Sequence, residues 1–142
     1  MSDLKSIQRQ LVVQAFYESS INVNRKDVSV IEILNDIIFN SEFKNKLSKS
    51  DLKLAIHIYD GVYCNLEKID KLLKNTLSKK NKFNSMDTLL KCIFRSAIFE
   101  LIFDKKISKK IIISEYLLIT KRFFGDKECA LINGVLDNVE EL

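Results

Sequence analysis

Met86 to Phe103, MDTLLKCIFRSAIFELIF, is the stretch whose reading decides the fold. Its apolar residues Leu90, Ile93, Phe94, Ala97, Ile98, Leu101 and Ile102 recur at the three- and four-residue spacing of one helix face, which predicts a buried amphipathic helix. Ser85 stands where a hydroxyl would cap its first turn. Downstream, Ile111, Ile112, Ile113, Tyr116, Leu117, Ile119, Phe123 and Phe124 predict a helix from Lys109, with Ser108 as its cap and Gly125 in the left-handed position beyond its end. The β-branched run at Ile111 could begin a strand, but a lone strand would leave its backbone groups unpaired, so a helix is expected. Asp126 is the expected cap of a last helix carrying Cys129, Ile132, Leu136 and Val139 at helical spacing.

Gly134 sits inside that last helix, where a glycine costs about 1 kcal/mol relative to alanine. The expectation is a close approach of another helix, or of a ligand, at a spot with no room for a side chain. Under the helix-crossing reading, Gly134→Ala would overpack the contact and destabilise the protein.

Toward the N-terminus, Leu4, Ile7, Leu11 and Ala15 predict one apolar face of a first helix that Ser2 or Asp3 could cap, with Lys5, Gln8 and Arg9 projecting from the other side. Asn22 to Asp27 reads as a linking turn before a helix from Val28 to about Asn40, striped by Ile31, Leu34 and Ile38. Ser41 to Lys49 is a polar connection. Ser50 is the expected cap of a long pattern from Ala55 to Leu77 that should bend or break near Gly61 to Leu66. The total is about six or seven helices. Ser78 to Ser85 is the expected hinge, dividing an N-terminal helical subdomain (1–80) from a C-terminal one (81–142).

The chain has 142 residues, no Pro and 3 Gly, a composition that lacks the turn residues of all-β folds and favours an all-α architecture. No apolar run approaches the roughly 20 residues of a membrane span, and the polar start is not that of a signal peptide, so a cytoplasmic protein is expected. Cys64, Cys92 and Cys129 are odd in number and far apart, the pattern of small core residues rather than of disulfides or a metal site. His57, the single histidine, has no ligand-spaced partner, so no metal is expected. No cofactor loop, nucleophile elbow or paired-acid motif is present, and a non-enzyme is expected. The net charge of +4 suits a polyanionic partner. Bases gather at Lys79, Lys80 and Lys82, at Lys105 and Lys106, at Lys109 and Lys110, and at Lys121, Arg122 and Lys127, with Tyr17, Phe123 and Phe124 as candidate stacking platforms.

Several separated blocks resemble one family. Phe94-Arg95-Ser96-Ala97-Ile98-Phe99-Glu100-Leu101, Ile113-Ser114-Glu115-Tyr116, Phe123-Phe124-Gly125-Asp126 and Asn133-Gly134-Val135-Leu136-Asp137 are similar, in order and spacing, to the signature of the NusB transcription antitermination factors. Arg9-Gln10-Leu11-Val12-Val13-Gln14-Ala15-Phe16-Tyr17 resembles that family's first helix. The resemblance implies two small helical bundles packed side by side. It also implies binding of boxA RNA together with NusE, a small ribosomal subunit protein, and read-through by RNA polymerase, notably in ribosomal RNA operons.

Carried over position by position, the family's RNA surface implies Lys5 and Arg9 at the first-helix start and Lys127 and Leu131 at the junction into the last helix. Ser6 and Ile7 stand where the family often has further arginines, so the first site is poorer in the bidentate forks that grip phosphate. Where many members have a Pro before the Lys109 helix, this chain has Ser108, which can cap instead. Arg95 and Glu115, at the edges of apolar stripes, are expected to be paired and to order the C-terminal bundle. Two alternatives stand beside the leading reading. One is a helical protein-interaction module that has lost RNA binding. The other is the NusB-like domain of a ribosomal RNA cytosine methyltransferase, against which the sequence, ending at Leu142, offers no cofactor-binding α/β domain.

Overall fold

The computed structural model describes residues 4–21, 29–45, 47, 49–79 and 82–140. Among these the regular structure is all helical. Eight α-helices follow in order: α1 (Leu4–Ile21), α2 (Val30–Phe39), α3 (Lys53–Cys64), α4 (Leu66–Thr76), α5 (Lys82–Ser85), α6 (Thr88–Ile98), α7 (Lys109–Phe123) and α8 (Asp126–Asn138). A 3-10 turn, Lys49–Leu52, leads into α3, and a π-helical segment, Phe99–Asp104, continues α6. The expected caps at Ser2 or Asp3 and the Asn22 to Asp27 turn fall outside the described residues. No helix among the described residues is long and apolar enough to cross a membrane.

The first helix lies at the centre. Ile7, Leu11, Val12, Val13, Ala15 and Phe16 are all buried, and α1 packs against α2, α3, α6 and α7. The consecutive run Leu11-Val12-Val13 is the reason, because three neighbouring apolar positions span most of a helix circumference and need neighbours on several sides. Gln8 and Arg9, expected to project outward, are therefore buried too, at 6% and 1% exposure. Gln8 works as a cap in trans: α3 begins after Leu52, whose side chain makes no cap bond, and the Ala55 N–H donates instead to Gln8 Oε1 at 3.1 Å.

Local expectations survive unevenly. Ser108 caps α7 through Ile111 N–H, and the Ile111 run is helical. The long α3–α4 pattern does break, at Asn65, whose side-chain amide donates to the Gly61 carbonyl at 2.8 Å. The cap of α6 is Asp87 rather than Ser85, which ends α5; one Asp87 oxygen accepts from both Leu89 N–H and Leu90 N–H. Gly125 has φ −97°, extended rather than left-handed, and is itself the residue before α8. Asp126 lies inside the first turn of α8, and Glu128 reaches back to accept from Gly125 N–H at 3.2 Å. Ile31, placed in the apolar stripe of α2, is 44% exposed, and the inner face is Ile33, Leu34 and Ile38. Cys64, expected in the core, is exposed. Burial raises the thiol of Cys92 to about 11, so it is protonated at neutral pH.

The crowded glycine is Gly61 rather than Gly134. A Cβ placed on Gly134 would meet nothing within 4 Å, so no helix crosses there and the expected overpacking has no atoms to cause it. The close approach is at Gly61, where a Cβ would collide with the Phe99 ring. Phe99 begins the π-helical segment, whose defining bond joins Lys105 N–H to the Glu100 carbonyl at 3.0 Å. Widening this turn buries two consecutive side chains in different directions: Phe99 against α3, and Glu100 toward α1 and α7.

Candidate nucleic-acid interface

The expected site residues fall into two separate places. At the first, Lys5 is exposed on the opening turn of α1, while Arg9 points inward. The Arg9 guanidinium donates through Nε and Nη2 to the two oxygens of Glu100 at 2.8 and 3.1 Å, and through Nη1 to Glu115 at 3.1 Å. Tyr116 donates its hydroxyl to the same Glu100 at 2.7 Å, and Ser6 donates to Glu115 at 2.8 Å. Burial works against the charge of Arg9, but the hydrogen bonds and charge of Glu100 outweigh it and hold its pKa above the ordinary arginine value. Burial, then the charge of Glu100, pushes the Tyr116 phenol well above its usual range. Every donor face of Arg9 points into this cluster, so the residue ties α1 to α7 and the π-helical segment and presents no fork to solvent. The assignment of Arg9 as an RNA contact is corrected accordingly: a side chain 2% exposed and bound to two carboxylates cannot grip a phosphate.

Beside this cluster is a hollow of about 530 Å³ lined by Ser6, Gln10, Phe43, Leu118, Lys121 and Arg122, among others. Glu42 lies 3.7 Å from Arg122 there, and Glu115 is already held by Arg9 and Ser6. The structure thus places Lys121 and Arg122 in a hollow beside the start of α1, while Lys127 lines a different one.

The second place is an open groove of about 530 Å³ between α5, the start of α6 and α8. Lys127 and Leu131 both line it, together with Lys82, Met86, Leu90 and Phe124. Its geometry follows from the sequence around Gly125: Phe124 and Gly125 carry the chain in extended conformation from α7 into α8, so Lys127, on the first turn of α8, and Leu131, one turn further on, share a face. The groove's two carboxylates are engaged locally, Asp87 in capping α6 and Glu128 in bonding Gly125 N–H. That leaves the ammoniums of Lys82 and Lys127 without a carboxylate partner among the described residues, beside the half-buried Phe124 ring and the apolar Leu131. Such a surface can hold phosphate with the lysines and lay a base against the apolar wall. A shallower hollow, lined by Thr76, Leu77, Ser78, Leu131, Gly134 and Asn138, continues it along α8, so Gly134 faces open space beside the groove.

Sequence reasoning did not join Lys82 to Lys127, which are 45 positions apart; only the folding of α5 beside α8 brings them together. Arg95 and Glu115 are paired as expected, Arg95 with Asp70 at 2.8 Å and Glu115 with Arg9. Tyr17 and Phe123 are 36% and 38% exposed. Among the described residues no group of three or more His, Cys, Asp or Glu side chains could hold a metal ion, and His57 pairs with Asp104 at 2.9 Å.

Comparison with known proteins agrees over nearly the full length. A NusB protein of Rickettsia bellii is 32% identical over 141 residues, spanning 95% of this chain and 88% of its own, and one from Clostridium botulinum is 27% identical over 95% of this chain and 96% of its own. Both carry the name transcription antitermination protein NusB. The solved structure of NusB from T. maritima superposes with a TM-score of 0.77 at 26% identity, covering 98% of this chain and 92% of that one. A crystal structure of the antitermination factors NusB and NusE in complex with double-stranded RNA shares the fold at a TM-score of 0.78 and 19% identity, covering 98% of this chain and 97% of that one. The NusB family profile matches residues 6–141, and with these relatives and this fold the chain belongs to the NusB family.

Proposed function

We propose that this chain is an RNA-binding transcription antitermination factor that works with a NusE partner on boxA-type RNA and helps RNA polymerase read through terminators, notably in ribosomal RNA operons. The observation that carries the reading is the convergence of Lys127 and Leu131 with Lys82 and Phe124 on one open groove whose two carboxylates, Asp87 and Glu128, bond backbone N–H groups rather than either lysine. Family membership, together with a relative in the family fold caught with NusE and RNA, supports it. Lys127 and Lys82 hold phosphate in this reading, Leu131 and Phe124 pack against a base, and Lys5 supplies an outlying basic contact. The division into subdomains 1–80 and 81–142 belongs to the same proposal, with the groove built mainly on the second.

The test is a titration of boxA-type and scrambled RNA, with and without NusE. Lys127→Glu should weaken boxA binding at least about tenfold with unchanged helicity, and Lys5→Glu should weaken it less. Equal binding of parent and Lys127→Glu would remove the groove from the RNA surface. A second reading, a protein-interaction module with weak or no RNA binding, is favoured by one observation: with Arg9 committed to Glu100 and Glu115, the first two turns of α1 offer only Lys5 as an exposed base among the described residues. Binding of NusE without a salt-dependent affinity for RNA would select it.

A further inference from the structure

Three cations surround one phenyl ring where α4, α5 and α6 meet. The Lys74 ammonium lies 4.7 Å from the Phe83 ring centroid, the Lys91 ammonium 4.4 Å, and the Arg95 guanidinium carbon 5.9 Å. Only Arg95 has a carboxylate, donating to both oxygens of Asp70 at 2.8 and 3.0 Å. Lys74 and Lys91 have no carboxylate partner among the described residues. The ring face attracts each ammonium but neutralises neither. Their distances to one centroid put the two like charges at most about 9 Å apart, on the scale of the screening length of physiological salt, beside a ring that is 8% exposed, and they repel each other. An anion bound between or across them would relieve that repulsion.

The position of the cluster identifies the anion. Phe83 directly follows Lys82, which lines the groove of Lys127 and Leu131, so the basic wall of that groove continues past α5 to Lys91 and the exposed Lys74. Lysines are compact point charges with no planar fork, suited to a backbone phosphate and blind to sequence. We infer that Lys74 and Lys91 form a second phosphate subsite, which takes the backbone of single-stranded RNA where the strand leaves the groove past Lys82. The inference rests on the proposed RNA groove and extends it: bases are met at Phe124 and Leu131, and the departing backbone is held at Lys74 and Lys91 without sequence preference.

The test uses the full chain, single-stranded boxA-type RNA of about 12 nucleotides, and anisotropy titrations between roughly 50 and 200 mM KCl. Lys74→Gln with Lys91→Gln keeps much of each stem over Phe83 while removing the charges; Lys127→Gln reports on the groove alone. The double variant should lower affinity about tenfold at the low salt, equally for boxA-type and scrambled RNA. It should also flatten the plot of log K against log salt by about 1.4, near 0.7 for each phosphate no longer neutralised. Its melting temperature should stay close to the parent's. A slope unchanged in the double variant but reduced in Lys127→Gln would overturn the subsite and leave the groove reading standing. No salt-dependent RNA binding by the parent would sink both. A large drop in melting temperature with unaltered RNA binding would make the lysines mere packing for Phe83. Oligo-glutamate of the same length, bound as tightly as RNA and released in the same double variant, would reassign the surface to acidic peptides and overturn the inference.

Discussion

The cluster around Glu100 and the groove beside Lys127 are built from similar charged and aromatic residues and put to opposite ends. In the first, Arg9, Glu100, Glu115 and Tyr116 satisfy one another out of solvent; in the second, Lys82 and Lys127 have no carboxylate partner among the described residues and stand beside Phe124. Each region also has its glycine. Gly61 lies under Phe99, next to Glu100, where nothing larger fits, and Gly134 borders the groove with open space above it. The contrast teaches that a charge or a glycine declares no role until its surroundings are known. In a closed environment both are structural necessities, and in an open one they are available to a ligand.

The comparison breaks most decisively at Glu100. Glu100→Ala strips the buried Arg9 of two of its three carboxylate bonds, leaving only the Glu115 contact, and orphans the Tyr116 hydroxyl, so it should cost about 3–5 kcal/mol in chemical denaturation, whereas Lys127→Ala should stay within about 0.5 kcal/mol of the parent. Comparable losses for the two would erase the distinction between closed and open regions. Arg9→Glu belongs with Glu100→Ala: it sets a carboxylate against Glu100 and Glu115, and should unfold the protein rather than report on RNA.

The glycines come next, with opposite signs. Gly61→Ala drives a methyl group into Phe99 and should destabilise by about 1–3 kcal/mol. Gly134→Ala, with nothing within 4 Å, should stabilise by a few tenths to about 1 kcal/mol through helix propensity. A thermal melt in which Gly134→Ala falls below the parent would restore a close contact at that position. If the melt rises while RNA affinity drops, Gly134 is clearance for the ligand.

A pH dependence is expected from the buried thiol. Burial, the main cause, raises the Cys92 thiol from 9.0 to about 11 in the folded protein, so the unfolded chain gives up this proton first as pH rises. The associated stability is fully present below about pH 9 and is lost between there and about pH 11. Tyr116, also held well above its ordinary value, adds to the same loss at higher pH. Urea midpoints measured on either side of this window should fall for the parent and fall less for Cys92→Ala. Parallel curves for the two would exclude the thiol as a source of alkaline sensitivity.

Much of the architecture was legible in the chain itself. The absence of Pro, the three- and four-residue apolar repeats of α6 and α7, the Ser108 cap and the break before Leu66 all act within a few residues, and local backbone chemistry transmits them directly into helices. The ordered blocks from Phe94 to Asp137 carried the family. Tertiary structure alone decided which way Arg9 faces, which glycine is crowded and which lysines share a surface. Arg9 meets Glu100 across 91 positions and Glu115 across 106, and the Phe99 ring reaches Gly61 from a different helix. A helical repeat states that a helix has an apolar face, or, in Leu11-Val12-Val13, more than one. It carries no information on which partner that face meets, and the fate of a charge or a glycine depends on the atoms the partner brings.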